Sequence, residues 1–341
     1  MHYVGLDVHK KTIAYCLKNA QGKLLGRGEV AANRAALSQW LTTLPQPWAG
    51  ALEATLFTGW IYDFLKPKAD ALKVAHPAML KAIAASKKKN DRVDAKKIAD
   101  LLRCDLLPEC YMAPAEIRER RRVLRYRSLV VGEATRMKNK ISGLLMEVGA
   151  QYNKEKLHGK RYFSGLLTGL EEVPGSVKDL LKLSRQSLDL FDGLQRGLAR
   201  ELIGDEQLAG RVERLKRIRG VGDVLALTWA LEVGEPERFG SIRQAISYCG
   251  LCSAQDSSAG KDKRGPISKM RNKHLQCMLV EAAKLAPRWN PELAEIHRRE
   301  LARGNRNRAT LAVARKLVAY LLAADKSKEL FEPRPAGTPR P

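Results

Sequence analysis

Four acidic residues at widely separated positions suggest the first chemistry. Asp7 lies inside the apolar run VGLDVHK, where a charge is costly to bury unless it is paired or holds a cation. Glu53 closes a second apolar stretch, GALEAT, and Asp91 and Asp94 open the segment KKKNDRVDAKKIADLL. Residues three apart on a helix are neighbours, with Cβ atoms about 5–6 Å apart, so Asp91 and Asp94 share one face. Four converging carboxylates repel one another without cations. As hard oxygen donors they suit Mg²⁺ or Mn²⁺, and two ions about 3.5–4 Å apart can clamp a phosphodiester for in-line displacement. Lys87, Lys88 and Lys89 stand just upstream to draw the phosphate in. Taken singly, each acid has a plainer reading: dipole partners at a helix start, or a solvated strand end.

Two later segments carry charge and glycine in patterns suited to a phosphate backbone. Ile218-Arg219-Gly220-Val221-Gly222, preceded by Arg217 and followed by the apolar stretch Val224 to Leu231, matches a helix-hairpin-helix turn. Its glycines, Gly220 and Gly222, let the main chain approach a phosphate, and the next helix offers free N–H groups. A plain tight turn is the alternative. Downstream, YCGLCSAQDSSAGKDKRGPISKMRNKHL reads as a polar loop from Ser253 to Lys269. Six basic residues lie between Lys261 and Lys273 against one Asp, among them Lys261, Lys263, Arg264, Lys269 and Arg271. A flexible linker with solvated charges fits that composition equally well. Cys249 and Cys252 form a CxxC, but no second Cys or His pair accompanies it, so they read as buried helix-end thiols.

The elements that must position these residues follow from hydrophobic periodicity. Tyr3–Val8, Thr12–Lys18 and Lys23–Val30 read as strands, with hairpin-turn chemistry between the last two. A helix over Ala35–Leu44, a strand ending at Glu53, a helix over Gly59–Leu65 and a strand over Leu72–Ala75 follow. Helices over Pro77–Ala85 and Asp91–Cys104 complete a mixed α/β domain, residues 1–108. From Ala115 to Leu202, apolar residues at threes, fours and sevens (Ile117, Leu124, Val131 and Ala134, then Val177, Leu181 and Leu188) predict a helical coiled-coil arm, residues 109–210. Nine Lys/Arg between Arg118 and Lys140, against two Glu, favour phosphate contact there, through residues such as Arg121 and Arg125. Residues 211–331 form a mostly helical third domain, and the Pro-rich segment 332–341 reads as a disordered tail.

Acids on the first strand, the fourth strand and a late helix of a β-β-β-α-β-α-β-α chain are the arrangement of ribonuclease-H-like nucleases. With LEAT around Glu53 and NDRVDA around Asp91 and Asp94, the sequence resembles the DEDD transposases of insertion-sequence family one-hundred-and-ten, whose first domain is RuvC-like. Leu56 departs from the family, which often has Gly soon after the Glu. The family's serine domain is marked by a GL…S-G-G-K stretch, then G-x-I-S-K and N-x-x-L. Here these are Gly250-Leu251, Ser258, Gly260-Lys261, Gly265 to Lys269, and Asn272 to Leu275. The resemblance places the nucleophile on Ser258, with Ser257 adjacent and Ala259 where Gly is usual. It covers residues 1 to about 324. It also implies composite sites built from different subunits, assembly as dimers or tetramers, donor and target DNA as substrates, and an element-encoded bridge RNA as guide. The implied setting is the bacterial cytoplasm, on the nucleoid when acting.

Bulk properties agree. Lys+Arg outnumber Asp+Glu by 61 to 37, a formal charge of +24, which a small-molecule enzyme does not need and a polyphosphate partner exploits. No signal peptide, lipidation signal or long apolar run is evident, so a soluble, cytoplasmic protein with reduced cysteines is expected. Two other classes stay open: a metal-dependent junction nuclease using water, and a non-catalytic nucleic-acid-binding protein with structural carboxylates.

Overall fold

Val4, Leu6 and Val8 project from one side of the first strand and Tyr3, Gly5 and Asp7 from the other, and helices cover both sides. This strand, β1 (His2–Val8), pairs antiparallel with β2 (Thr12–Lys18), which pairs antiparallel with β3 (Leu24–Ala31). After α1 (Arg34–Leu41), β4 (Trp48–Glu53) joins the other edge of β1 in parallel. Helix α2 (Thr58–Leu65) then leads to β5 (Ala71–Ala75), parallel to β4. The sheet order β3-β2-β1-β4-β5 is consistent with a ribonuclease-H-like domain. Helices α3 (Pro77–Ile83) and α4 (Asp91–Arg103) complete this part. The computed structural model describes residues 1–83, 91–258 and 260–327, and the chain divides into two units, Met1–Ala115 and Glu116–Pro341. Lys87, Lys88, Lys89 and the tail 332–341 lie outside the described residues, as do the side chains of Asp91, Lys263 and Arg264.

One face of the sheet buries Val4, Leu6 and Val8 with Leu37, Trp40, Ile61 and Leu65 from α1 and α2. The other receives α4, whose Ala95, Ile98, Ala99 and Leu102 recur at helical spacing and pack on Tyr3, Ala14, Cys16, Ala49 and Ala51. The small residues bring the helix very close. A Cβ on Gly5 would sit 2.1 Å from the Ala95 carbonyl oxygen and 2.4 Å from the Ala99 amide nitrogen.

In the second unit, α5 (Ala115–Glu147), α6 (Lys160–Gly169) and α7 (Gly175–Ile203) share a core of Ala134, Ile141, Leu144, Leu145, Phe163, Leu181 and Leu188. The pairs Arg120–Asp205 and Arg127–Gln195 run in opposite sense, so α5 and α7 are antiparallel. Helices α8 (Glu206–Lys216), α9 (Asp223–Val233) and α10 (Ile242–Tyr248) follow. Then come a hairpin of β6 (Ser253–Ser258) and β7 (Lys261–Ile267), and α11 (Lys273–Leu285), α12 (Pro291–Ala302) and α13 (Arg306–Ser327). Helix α9 is wholly buried from Leu225 to Val233 and centres the second core. Among the described residues no helix is long and apolar enough to cross a membrane.

The expected polar loop over Ser253–Lys269 is therefore a two-stranded ribbon. Its residues lack apolar alternation because Ser253, Ala254, Gln255, Ser257 and Ser258 are all exposed, so no buried face advertises a strand.

Close packing at Gly5 yields a stability test. Gly5→Ala is expected to cost at least about 1–3 kcal/mol in urea unfolding, because a backbone cannot give way as a side chain can. Gly132→Ala, in α5 with nothing within 4 Å of the added carbon, is expected to stabilise by about 0.4–1 kcal/mol. Equal effects at the two sites would remove the claim that α4 is seated on Gly5.

Candidate active site

The acidic residues are placed by strand register and by the direction of α4. On β1, Asp7 continues the alternation of Tyr3 and Gly5, and on β4, Glu53 continues that of Ala49 and Ala51, so both belong to the face that α4 covers. The β1–β4 register pairs Leu6 with Leu52, and one further step sets Asp7 beside Glu53 on strands about 4.8 Å apart. Helix α4 runs antiparallel to β1. Its Asp100 pairs with Lys18, opposite Tyr3, whereas Ala95 meets Gly5 nearer the strand's end. Asp91 and Asp94 lie four residues before Ala95 and Ile98, so they extend the sheet-facing stripe toward the ends of β1 and β4.

Side-chain environments differ along this set. Asp7 is only 8% exposed, and its Oδ2 lies 3.2 Å from His9 Nε2. Glu53 is half-buried, and its carbonyl oxygen accepts from the Thr58 hydroxyl at 3.0 Å, which holds the exit from β4. Leu56, the departure from the expected Gly, is 93% exposed and leaves that exit undisturbed. Asp94 Oδ1 takes a long contact from Lys97 Nζ at 3.4 Å. Among the described residues no group of three or more His, Cys, Asp or Glu side chains is arranged to hold a metal ion, the Asp91 carboxylate lying outside that set. The backbone thus brings four acidic positions to one end of the sheet, but the described carboxylates do not form a closed ligand cage. The donor chemistry still fits a hard divalent cation: a buried strand carboxylate, a second at its flank, and Asp94 on the opening turn of α4.

Ser258 ends β6 and is exposed, as is Ser257. It pairs with Lys261, and Gly260 between them has φ +76°, the left-handed backbone that glycine adopts without strain in a tight hairpin. Five strand steps from Ser253 put the serine about 17 Å from the ribbon's base. Lys261, Lys269 and Arg271 are exposed around this ribbon.

The base of the ribbon is held by an unexpected acid. Glu232, within the apolar helix α9, has no solvent exposure, yet it accepts two bonds from Arg125 at 2.8 Å and one from Asn272 Nδ2 at 2.8 Å. Arg121 approaches it at 3.8 Å and donates to the Leu231 carbonyl oxygen at 2.8 Å, and the Tyr248 hydroxyl donates to the Glu232 carbonyl oxygen at 2.9 Å. Asn272 Oδ1 meanwhile caps α11 through the amides of His274 and Leu275. Burial pushes the Glu232 carboxyl up, but the bonds from Arg125 and Asn272 outweigh it and hold the group below the usual Glu range. Arg121 and Arg125 thus also serve Glu232 and its helix, while Arg125 keeps a side chain that is 47% exposed. The signal available in sequence was a lone charge at the end of an apolar helix, VLALTWALEV. His9 was likewise not anticipated.

Between α8 and α9, Gly220 has φ +98°, and a Cβ there would meet Ala286 Cβ at 2.6 Å, so only glycine fits this turn. Gly222 caps α9 with nothing within 4 Å of an added Cβ, and Arg219 is exposed. Asp223, which opens α9, pairs with Lys216 at 2.7 Å. Of the two CxxC thiols only Cys249 is buried at the end of α10, where burial pushes its thiol up to about 12, whereas Cys252 lies past the helix and is partly exposed.

Residues 4–149 match a family model described as transposase, of the DEDD type in the IS110 group, and residues 212–298 match the transposase IS116/IS110/IS902 family. The chain is 25% identical over 327 residues to the transposase for insertion sequence element IS1328 of Yersinia enterocolitica, covering 92% of this chain and 93% of that one. It is 25% identical over 359 residues to the transposase for insertion sequence element IS1111A of Coxiella burnetii, covering 96% and 90%. A Sinorhizobium fredii protein named as a transposase is 25% identical over 290 residues, 82% and 70% of the two chains. The two family matches take in all four acids, the Gly220 turn and Ser258.

The Glu232 network predicts its own energetics. Glu232→Ala strands the donors of Arg125 and Asn272 and is expected to cost about 3–5 kcal/mol in urea unfolding. A carboxyl held below its unfolded value stabilises fully above that value, and the contribution is lost as pH falls through the folded one. Glu232→Gln should remove this share of the acid-side decline. A loss under about 1 kcal/mol for Glu232→Ala would show that the network does not hold the helices together.

Proposed function

The chain belongs to the IS110 family of transposases, and from that premise we propose a DNA recombinase with Ser258 as nucleophile and Asp7, Glu53, Asp91 and Asp94 as holders of Mg²⁺ or Mn²⁺. Transposases of this kind cleave and transfer DNA strands. The observation that carries the finer reading is the register that places Asp7 beside Glu53 under the opening turn of α4.

Ser258 Oγ attacks a DNA phosphorus, a P–Oγ bond forms, and the P–O bond to the departing strand breaks. The serine proton leaves Oγ, and the departing alkoxide takes one up. The phosphoserine conserves the bond energy, so a second strand hydroxyl reverses the step without ATP. When bound, the divalent cation neutralises charge on the scissile phosphate. Asp7, close to His9 and largely shielded from water, offers a carboxylate oxygen as ligand. Lys261, Lys269 and Arg271, with Lys263 and Arg264 in the same ribbon, supply cationic stabilisation for the phosphate.

Arg219, Gly220 and Gly222 act in this reading as a helix-hairpin-helix contact to the DNA backbone, supported by the open approach at Gly222. Helices α5 and α7 act as a coiled-coil arm in assembly of dimers or tetramers, and an element-encoded bridge RNA shares the positive charge with DNA. Lys87, Lys88 and Lys89, just upstream of Asp91 in the sequence, add positive charge for the phosphate in this reading.

Purified Ser258→Ala is expected to lose covalent protein–DNA adducts to the level of a no-enzyme control, while Ser257→Ala keeps them. Asp7→Asn should abolish strand cleavage with folding intact by circular dichroism. Adducts persisting in Ser258→Ala would remove that serine from the chemistry. Cleavage without adducts in a Ser257→Ala/Ser258→Ala protein would instead establish a water nucleophile.

A further inference from the structure

Trp289 stands apart from the other tryptophans. Trp40, Trp48 and Trp229 are at most 7% exposed, and Trp60 is half-buried with the Arg34 guanidinium 5.8 Å from its ring centre. Trp289 is 55% exposed, and among the described residues neither a cation nor another ring lies against it. An indole left in water forgoes a large burial energy, so the position invites a ligand.

The backbone that presents this ring is fixed. A 3-10 turn over Ala286–Arg288 precedes it, and the Trp289 amide donates to the Ala286 carbonyl oxygen at 3.1 Å. Asn290 follows, 6% exposed, with Oδ1 accepting from the Leu293 amide at 3.2 Å and Nδ2 donating to the Arg219 carbonyl oxygen at 3.4 Å. Ala286 is also the residue that an added Cβ on Gly220 would strike. Trp289 and Arg219 are thereby tied to the same turn through two independent contacts. Arg217, Arg219 and Arg288 are exposed, and among the described residues none of the three forms a salt bridge.

We infer that Trp289, flanked by Arg219 and Arg288, is a stacking platform for an unpaired base of a DNA strand. This rests on the reading of DNA as substrate and adds an unpaired segment to it. An aromatic face accepts any base that has left its stack, while guanidiniums hold the adjoining phosphates. Bases inside an intact duplex are already stacked and cannot use the ring. A protein partner would have to cover exposed arginines of the same turn, Arg219 and Arg288, which charge complementarity disfavours.

The test uses the full chain in EDTA, with fluorescence anisotropy of a labelled oligothymidine, a duplex of the same length and an oligouridine. Trp289→Ala is expected to weaken single-stranded DNA binding about tenfold and leave duplex binding within about twofold, with Trp289→Phe retaining most of the affinity. Arg219→Ala should weaken strand and duplex together. Unchanged strand binding by Trp289→Ala, equal loss on strand and duplex, or a loss confined to the RNA oligomer each overturns the inference. Anisotropy reads binding and not strand cleavage, so the outcome is independent of the Ser258 result.

Discussion

Helix α4 rests its backbone on β1 at Gly5, 2.1 Å from an added Cβ to the Ala95 carbonyl oxygen, and the geometry of the acidic set follows from that contact. Because a side chain at Gly5 is sterically excluded, the helix is pinned in height over the sheet. Because Asp100 pairs with Lys18 at the far end, it is pinned in direction. Asp94 and Asp91 are then carried to the ends of β1 and β4, where Asp7 and Glu53 sit one register step apart from the last paired residues. Charge alone would drive these acids apart. Packing of Ala95, Ile98, Ala99 and Leu102 on the sheet holds their backbone positions together, and the opening turn of α4 adds the positive end of its dipole.

The second unit meets a related constraint with the opposite solution. Glu232 is a buried carboxylate whose charge Arg125 offsets, with Asn272 adding a neutral donor. Asn272 is the junction. One end of its amide holds Glu232 and the other caps α11, directly after the ribbon whose tip carries Ser258. The ribbon itself has little to bury, so the definition of its base comes from this network and not from its own strands. Two arginines that composition assigns to phosphate, Arg121 and Arg125, also do internal work, while Arg217, Arg219, Lys261, Lys269 and Arg288 are among the exposed cations.

Apolar runs bounded by small turn residues were enough to read β1, β2, β4 and β5 from the chain within a residue or two, and their helices with α1 ending three residues early, because the strands are committed to a core. Asp7 was legible because a charge inside an apolar strand is anomalous unless it has work, and the other acids drew notice by their places on the fourth strand and a late helix. The family resemblance, carried by LEAT, NDRVDA and the serine-domain motifs, likewise needs only the sequence. The hairpin at Ser253–Ile267 was not legible, since nearly all of its described side chains are exposed and periodicity has nothing to record.

What tertiary structure alone decided is partnership. That Arg125 faces Glu232 across 107 residues, that Gly220 abuts Ala286, and that Asp7 and Glu53 share a face under α4 depend on which elements come to lie together. Local propensity fixes where a helix begins and which residues line its stripe, because those follow from spacing along one chain segment. Pairing between distant segments follows from how closely their surfaces can approach, and that is settled only when the small residues, the buried charges and the strand register are satisfied at once.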